Sequence, residues 1–290
     1  MANIKDLKRR IKSTKSTFKI TSAMKLVSAA KLARAQHAIV SSRPYAQELE
    51  NLIKTISGLS QNYSHPFLKE NSENKQTILL VISSNKGLCG GYNNTLSKAV
   101  KAFIKENTDR DVKVYFIGKK ARILLSAFVN KGKTYTFKAL EPTYSEVREV
   151  ASELSHLFES GEIGKLYVAY NLFKSALNFI PTVKQVLPLS LDNNEKEKII
   201  NEFPFDFKYD PNPNEILDSL VPEAYYTSVY TSILDALASE HGSRMSAMDN
   251  ATRNCKEMIR SLTLKMNKLR QAMITKELIE VVSGAESLNG

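Results

Sequence analysis

Residues 248–273 read MDNATRNCKEMIRSLTLKMNKLRQAM, and their apolar side chains recur at steps of three and four. The recurring positions are Met248, Ala251, Cys255, Met258, Leu262, Met266, Leu269 and Met273. A stripe this narrow is typical of a coiled-coil interface, whereas a globular helix has a broader apolar face. The stretch from Glu223 to Gly290 contains no proline. It therefore predicts one uninterrupted helix of roughly 70 residues and roughly 105 Å.

The N-terminus predicts a second long helix with the same spacing. Its interface positions are Ile4, Leu7, Ile11, Thr14, Phe18, Thr21, Lys25, Ser28, Leu32, Ala35 and Ile39. Pro44 is expected to kink or interrupt this helix, because proline lacks an amide donor and clashes with the preceding turn. A second face of small apolar residues within 18–35 suggests enclosure by more than one partner helix.

The segment between the helices changes period and predicts an α/β domain. Residues 77–83 form a short, fully apolar strand of the kind that is buried in a parallel sheet. Further strands are predicted at 112–118, 134–139, 165–171 and, at a sheet edge, 183–189. Helices are predicted at 92–106, 119–130 and 145–160, and polar linkers at 61–75 and 190–214. Strands alternating with helices indicate an open α/β sandwich.

The predicted fold class is thus α/β, with a Rossmann-like sandwich inserted between two long helices. The three segments are an N-terminal coiled-coil helix at 1–58, the inserted domain at 76–190 and a C-terminal coiled-coil helix at 214–288. Because the intervening chain returns on itself, the two helices are expected to pair antiparallel. The C-terminal helix should extend beyond the pair by roughly 15–20 residues, or about 25 Å.

Charge is concentrated in the predicted helices. Residues 1–45 carry a net charge of +10 and residues 244–276 carry +6, which leaves −5 for the rest of a chain whose net charge is +11. A basic coiled coil implies an acidic partner: nucleic acid, an anionic membrane or acidic protein loops.

Other compositional features narrow the class of protein. The two cysteines, Cys89 and Cys255, fit a reduced compartment, and no metal-ligand spacing is present. No apolar run approaches the ~20 residues of a membrane span. Helical periodicity begins at once, so no signal peptide is expected.

Two alternative functions remain open from the residues themselves. Residues 83–93, SSNKGLCGGYN, lie between a strand and a helix, where phosphate-binding loops occur, but they match neither common glycine-rich fingerprint. The loop is more simply a tight turn at Gly87, Gly90 and Gly91. The basic N-terminal residues could form a nucleic-acid arm, although few aromatic residues are available for stacking on bases. No catalytic constellation emerges, so no catalytic, cofactor or metal residues are predicted.

Four separated blocks resemble the gamma subunit of the rotary F-type ATP synthase, its central stalk, in the bacterial form. The C-terminal block is Leu262–Leu288, whose most specific part is Ile274-Thr-x-Glu-x-x-Glu-x-x-x-Gly-Ala285. The others are Ser243–Ala251, Ile20–Val27 with the following Lys31–Gln36, and the glycine loop. Tyr209-Asp-Pro211 is similar to the family's Tyr-Glu-Pro, with Asp replacing Glu.

The resemblance implies a non-catalytic rotor subunit without a cofactor, which couples rotation of the membrane c-ring to conformational changes in the catalytic beta subunits. Its partners would be the hexamer of alpha and beta subunits, the epsilon subunit and the c-ring, with no nucleic acid. Driven by protons or sodium ions, it would lie at the cytoplasmic face of the bacterial inner membrane, peripherally and through the ring.

The family's partner contacts map onto ten positions. Arg270 and Gln271 match contacts with acidic loops of beta, and Met24 and Lys25 match the bearing. Arg244, Thr275 and Glu277 lie in the matching blocks, and Phe207, Tyr209 and Asp210 match the foot near the ring and epsilon.

Overall fold

The computed structural model describes residues 4–59, 65–69, 74–137, 142–189 and 212–289. These residues form two compact units. The helix-pair unit contains Met1–Ser28 and Arg244–Gly290, and the sheet unit contains Ala29–Ser243. The division into three segments at 1–58, 76–190 and 214–288 stays a prediction.

Two long helices pass through both units. Helix α1 spans Ile4–Leu59, and the last helix, here α5, spans Pro213–Asn289. Asn212 caps α5: its side chain accepts a hydrogen bond from the Glu215 amide at 2.9 Å and donates one to the Glu215 carboxylate at 2.6 Å. This reciprocal cap, with proline at the first helical position, explains why the helix starts there.

The sheet has five strands in the order β3-β2-β1-β4-β5. They are β1 Gln76–Ile82, β2 Asp111–Ile117, β3 Asn130–Tyr135, β4 Lys165–Ser175 and β5 Asn178–Leu187. The first four are parallel, and β5 forms an antiparallel hairpin with β4 at the edge. Residues Thr77–Ile82 of β1 are all buried, as expected for a central strand covered on both faces.

Three helices connect the strands: α2 Tyr92–Glu106, α3 Lys120–Leu124 and α4 Tyr144–Glu159. Helix α4 starts with a capping box between Thr143 and Glu146. One core includes Leu79, Phe116 and Leu96 and lies under α2 and α3. The other core joins α4 and the sheet-unit parts of α1 and α5 to the opposite side of the sheet through residues such as Leu80, Ile53 and Tyr225.

Three local expectations were wrong. Pro44 does not interrupt helix α1, which continues with Leu49, Ile53 and Ile56 buried beyond it, and a kink at Pro44 stays a prediction. Packing of these residues offsets the loss of one helical hydrogen bond. Helix α3 ends at Leu124 instead of residue 130, because Asn130 already pairs with Lys113 at the start of β3.

The third correction concerns the segment 61–75, predicted to be a polar linker. Pro66–Leu68 forms a 3-10 turn, and Phe67 is 1% exposed. Its ring lies edge-on to Tyr225 at 5.5 Å and Phe158 at 6.4 Å between centroids. The turn therefore closes one side of the core.

Candidate functional site

Three contacts fix the direction of the helices in the helix-pair unit. Lys25 Nζ donates to Asp249 Oδ1 at 2.6 Å, Thr252 Oγ1 donates to Thr21 Oγ1 at 2.9 Å, and Thr14 Oγ1 donates to Met258 Sδ at 3.8 Å. Residue numbers fall along α1 as they rise along α5. The pair is therefore antiparallel, as predicted.

The interface between these helices is narrow and includes polar residues. Leu7, Thr21, Ser28 and Met248 are all buried. The Thr21 and Thr252 hydroxyls contact each other across the interface, and each also lies within hydrogen-bond distance of a carbonyl of its own helix, Phe18 at 3.1 Å and Met248 at 2.7 Å. Sequence spacing identified these inward positions correctly, although it did not identify their partners.

Lys25 is the centre of a small charge network. Asp249 accepts from Lys25 at 2.6 Å and from Arg253 at 2.7 Å. The hydrogen bond from Lys25, assisted by the charge of Arg253, lowers the pKa of Asp249 below its usual value. Sequence reasoning missed this pairing, because it depends on the register between residues that lie 224 positions apart.

The end of α5 presents a different surface. Every residue from Arg270 to Ala285 is exposed within the described part of the chain. Six large apolar side chains there are about half exposed or more: Met273, Ile274, Leu278, Ile279, Val281 and Val282. Exposed apolar side chains clustered in this way are typical of a surface that interacts with other proteins.

A second exposed apolar surface lies on α1. Ile20 is 60% exposed, Leu26 68% and Val27 57%. The sequence predicted enclosure of residues 18–35 on several sides. Within this chain one face meets α5 and this face stays exposed.

The structure places the predicted contact residues in three environments. Arg270, Gln271, Thr275 and Glu277 lie exposed within two turns of α5, where the Thr275 hydroxyl donates to the Gln271 carbonyl at 3.1 Å. Met24 and Lys25 are half-buried. Lys25 lies opposite Asp249, which is 21 residues from Arg270 and thus roughly 31 Å away along the helix.

The remaining predicted contacts differ again. Arg244 is 8% exposed, so most of its side chain is buried within this chain. Phe207, Tyr209 and Asp210 lie outside the described residues. The predicted contact positions thus form at least two separate surfaces and not one site.

The glycine-rich loop is occupied by its own hydrogen bonds. Asn93 Nδ2 donates to Ser84 Oγ at 2.8 Å and to Cys89 Sγ at 3.2 Å, and the Ser84 amide donates to Asn93 Oδ1 at 3.2 Å. Cys89 is 2% exposed. These polar groups face one another, which favours the tight-turn interpretation over a phosphate cradle.

Of Gly87, Gly90 and Gly91, only Gly90 adopts a backbone conformation that favours glycine. Gly90 has φ 56°, a conformation that favours glycine. A Cβ added at Gly87 or Gly91 would meet only side-chain atoms at ordinary contact distance. Close packing thus does not require glycine at those two positions.

The described residues contain neither a candidate metal site nor a helix suited to crossing a membrane. No group of three or more His, Cys, Asp or Glu side chains in the described ranges could hold a metal ion. Among the helices in the same ranges, none has the length and apolar character needed to cross a bilayer.

These features define a class of protein in which a mostly parallel α/β sheet is combined with long, antiparallel terminal helices that expose surface for partners. The sequence profile of the ATP synthase family matches residues 3–288. The ATP synthase gamma chain of Anaeromyxobacter sp. (strain Fw109-5) is 41% identical over 296 residues, covering 99% of this chain and 100% of that one. The gamma chain of Pelagibacter ubique (strain HTCC1062) is 39% identical over 297 residues, with coverage of 99% and 100%.

Solved structures show the same fold. A chain of the Euglena gracilis mitochondrial ATP synthase matches with a TM-score of 0.68 at 16% identity, over 98% of this chain and 94% of that one. A chain from the central stalk and c-ring of the Tetrahymena thermophila mitochondrial enzyme matches with a TM-score of 0.59 at 23% identity, over 80% and 99%. The chain belongs to the ATP synthase gamma-chain family and is a central-stalk subunit of the F-type enzyme.

Proposed function

We propose that the helix-pair unit turns inside a hexamer of alpha and beta subunits, where it drives each beta subunit in turn through its nucleotide-affinity states. ATP synthesis and hydrolysis then occur on beta, and this chain contributes no catalytic group. The observation that carries the proposal is the end of α5, where six large apolar side chains are exposed along residues 273–282. A surrounding ring of subunits would cover such a surface on all sides.

The positive charge of α5 supports contacts with acidic loops of beta. Arg270 is exposed and belongs to a segment, 244–276, whose net charge is +6. Acidic loops of beta would attract this segment. Single exposed ion pairs contribute only about 0–1 kcal/mol, which suits contacts that must break at every step. Gln271, Thr275 and Glu277 extend the same surface, and Met24 and Lys25 contribute a second contact from α1.

The sheet unit would bind the c-ring and the epsilon subunit, with Phe207, Tyr209 and Asp210 at this contact. Ion flow through the ring, of protons or sodium ions, would turn the sheet unit and with it the two helices. The complex would lie at the cytoplasmic face of a bacterial inner membrane, and this chain would be held there through the ring.

The test compares two exposed basic residues on α5. Arg270→Ala should lower ATP-driven ion pumping by the assembled complex, because a contact with beta is lost, while the circular dichroism spectrum and the yield of complex with alpha, beta and epsilon stay unchanged. Lys276→Ala is the matched control, since Lys276 pairs within the helix with Glu280 at 3.5 Å. Equal pumping by both variants, or failure of the wild-type chain to purify with alpha and beta, would contradict the proposal.

A further inference from the structure

Within the sheet unit, one face of α5 makes a row of directional contacts with the sheet and its loops. The row consists of Asp235, Ala236, Ser239, Gly242 and Ser243, here called the anchor stripe. Steps of three and four place these positions within about a third of the helix circumference. They all belong to the sheet unit.

Hydrogen bonds hold the stripe at three points. Ser239 Oγ donates to the Asn171 carbonyl of β4 at 2.9 Å, and Ser243 Oγ donates to the Cys89 carbonyl of the glycine loop at 2.6 Å. In the opposite direction, the Tyr92 hydroxyl at the start of α2 donates to the Ala236 carbonyl at 3.1 Å. These bonds connect α5 to three different segments.

The backbone also approaches closely at this face. A Cβ added at Gly242 would lie 2.8 Å from the carbonyl oxygen of Ala176, in the turn between β4 and β5. Any side chain at position 242 would therefore push the helix away from the turn. Glycine here permits the helix to lie directly against the sheet edge.

Asp235 adds α1 to the same set of contacts. Its Oδ1 atom accepts from Arg43 at 2.6 Å and from the Phe173 amide of β4 at 3.3 Å. Arg43 also donates to the Phe173 carbonyl at 3.0 Å. Three elements, α1, β4 and α5, thus meet in a closed triangle of hydrogen bonds around an aspartate that is 5% exposed.

Because Asp235 is buried, breaking its hydrogen bonds is energetically costly. Desolvation raises the pKa of Asp235, and the pairing with Arg43 opposes that rise. Separation of Arg43 from Asp235 would leave a buried charge without its partner, which is strongly destabilising. The closed arrangement is therefore sharply favoured over one in which either helix has turned.

The preceding turns of α5 are held by extensive apolar burial, beside hydrogen bonds from the Tyr225 hydroxyl to the Ala151 carbonyl at 2.9 Å and from the Tyr144 hydroxyl to Glu223 at 2.5 Å. Leu217, Val221 and Val229 are fully buried in the core shared with α4 and the sheet. Apolar burial is non-directional, so it resists separation much more strongly than it resists a small rotation of the helix about its axis. Hydrogen bonds weaken steeply with angle and so resist rotation.

We propose that the anchor stripe, together with Arg43, locks the rotational register of α5 and α1 on the sheet, so that a twist applied to the sheet unit passes into both helices. This inference rests on the proposed rotary function. Asp235, Ser239, Ser243 and Arg43 act as positioning residues. They touch no nucleotide, and their effect is the torsional stiffness of the connection.

The experiment measures stiffness in the assembled complex. Beta subunits are fixed to a surface, and a bead is attached to the sheet unit through Lys131→Cys, an exposed position, in a Cys255→Ser background. Angular fluctuations of the bead are recorded while the complex waits for ATP. The test variants are Asp235→Asn and the double variant Ser239→Ala with Ser243→Ala.

The matched control is Val229→Ala, which removes buried apolar contacts of the same helix. All variants are first compared by thermal unfolding, so that a loss of stiffness is not confused with a loss of stability. The anchor variants should broaden the angular variance, because hydrogen bonds are the contacts that resist rotation of the helix about its axis. Val229→Ala should leave the variance unchanged even where it lowers the melting temperature more.

The possible results distinguish a failure of the anchor stripe from a failure of the proposed rotary function. Wild-type and anchor-variant beads with equal variance, or equal broadening in Val229→Ala, would overturn the anchor alone. If the double serine variant broadens the distribution and Asp235→Asn fails to assemble, the serine result decides. A wild-type bead that never rotates on ATP addition would overturn the proposed function and the anchor with it.

Discussion

The contact between Thr21 and Thr252 offers a direct test of the antiparallel helix pair. Their hydroxyl oxygens are 2.9 Å apart, which brings the two side chains into a range where a disulfide can form after small rotamer and backbone changes. We expect Thr21→Cys with Thr252→Cys, in a Cys255→Ser background, to form an intrachain disulfide on mild oxidation. Cys89 is 2% exposed and should not compete.

The size of the effect follows from the loop that the disulfide closes. The two positions are 231 residues apart. Loss of chain entropy in the unfolded state then stabilises the fold by about 5 kcal/mol, an upper value because engineered bonds often deliver less. Urea unfolding of oxidised and reduced protein, followed by far-ultraviolet circular dichroism, should show a higher midpoint for the oxidised form.

The control moves one partner by a single residue. Arg253 is exposed and bonds to Asp249 and Asn250 on its own helix. Its side chain lies about 100° around α5 from Thr252, so Thr21→Cys with Arg253→Cys should remain reduced. Equal cross-linking of both pairs, or none at position 252, would refute the register. In the assembled complex the Thr21–Thr252 disulfide should leave ATP turnover unchanged, because both helices turn together.

Three further predictions concern the rest of the chain. Phe67→Ala should cost about 3–5 kcal/mol of unfolding free energy, as for other buried aromatic residues. Phe128→Ala, at a 62% exposed position, should cost little. Chemical denaturation of the two variants compares these losses, and equal losses would contradict the burial of the 3-10 turn. Thr143→Ala should cost about 1 kcal/mol by removing the capping box of α4, which thermal unfolding against Thr95→Ala would detect. Because its folded-state pKa is lowered, Asp249 stabilises the helix pair above its unfolded pKa of 3.8, and this contribution is lost as the pH falls through the lower folded value. An acid titration of Lys25→Gln should show a smaller contribution, since Arg253 remains beside Asp249, and an unchanged profile would exclude the Lys25–Asp249 ion pair.

Local sequence patterns predicted most elements because those elements depend on local properties. The apolar run of β1 predicted a buried strand, and the three-four spacing placed Leu7, Thr21 and Ser28 in the helix interface. Helix α4 was found within one residue at each end. These features depend on periodicity and on capping residues, which are visible within about 15 residues.

The errors and omissions all depend on distant parts of the chain. Pro44 is tolerated because packing on both sides supports the helix, and Phe67 is buried because Phe158 and Tyr225 meet it. The ion pairs between Lys25 and Asp249 and between Arg43 and Asp235 depend on the register of α1 against α5, which the folded structure determines. For the predicted contacts with other subunits, the family resemblance supplied positions that composition and spacing alone did not single out.

The central claim is that this chain must turn relative to the catalytic subunits for ATP turnover to continue. The most direct measurement is ATP hydrolysis by the assembled complex carrying Arg270→Cys and a cysteine in the acidic loop of beta. Oxidation should join the two subunits and stop steady hydrolysis, and reduction should restore it. Full hydrolysis by the cross-linked complex would contradict the account.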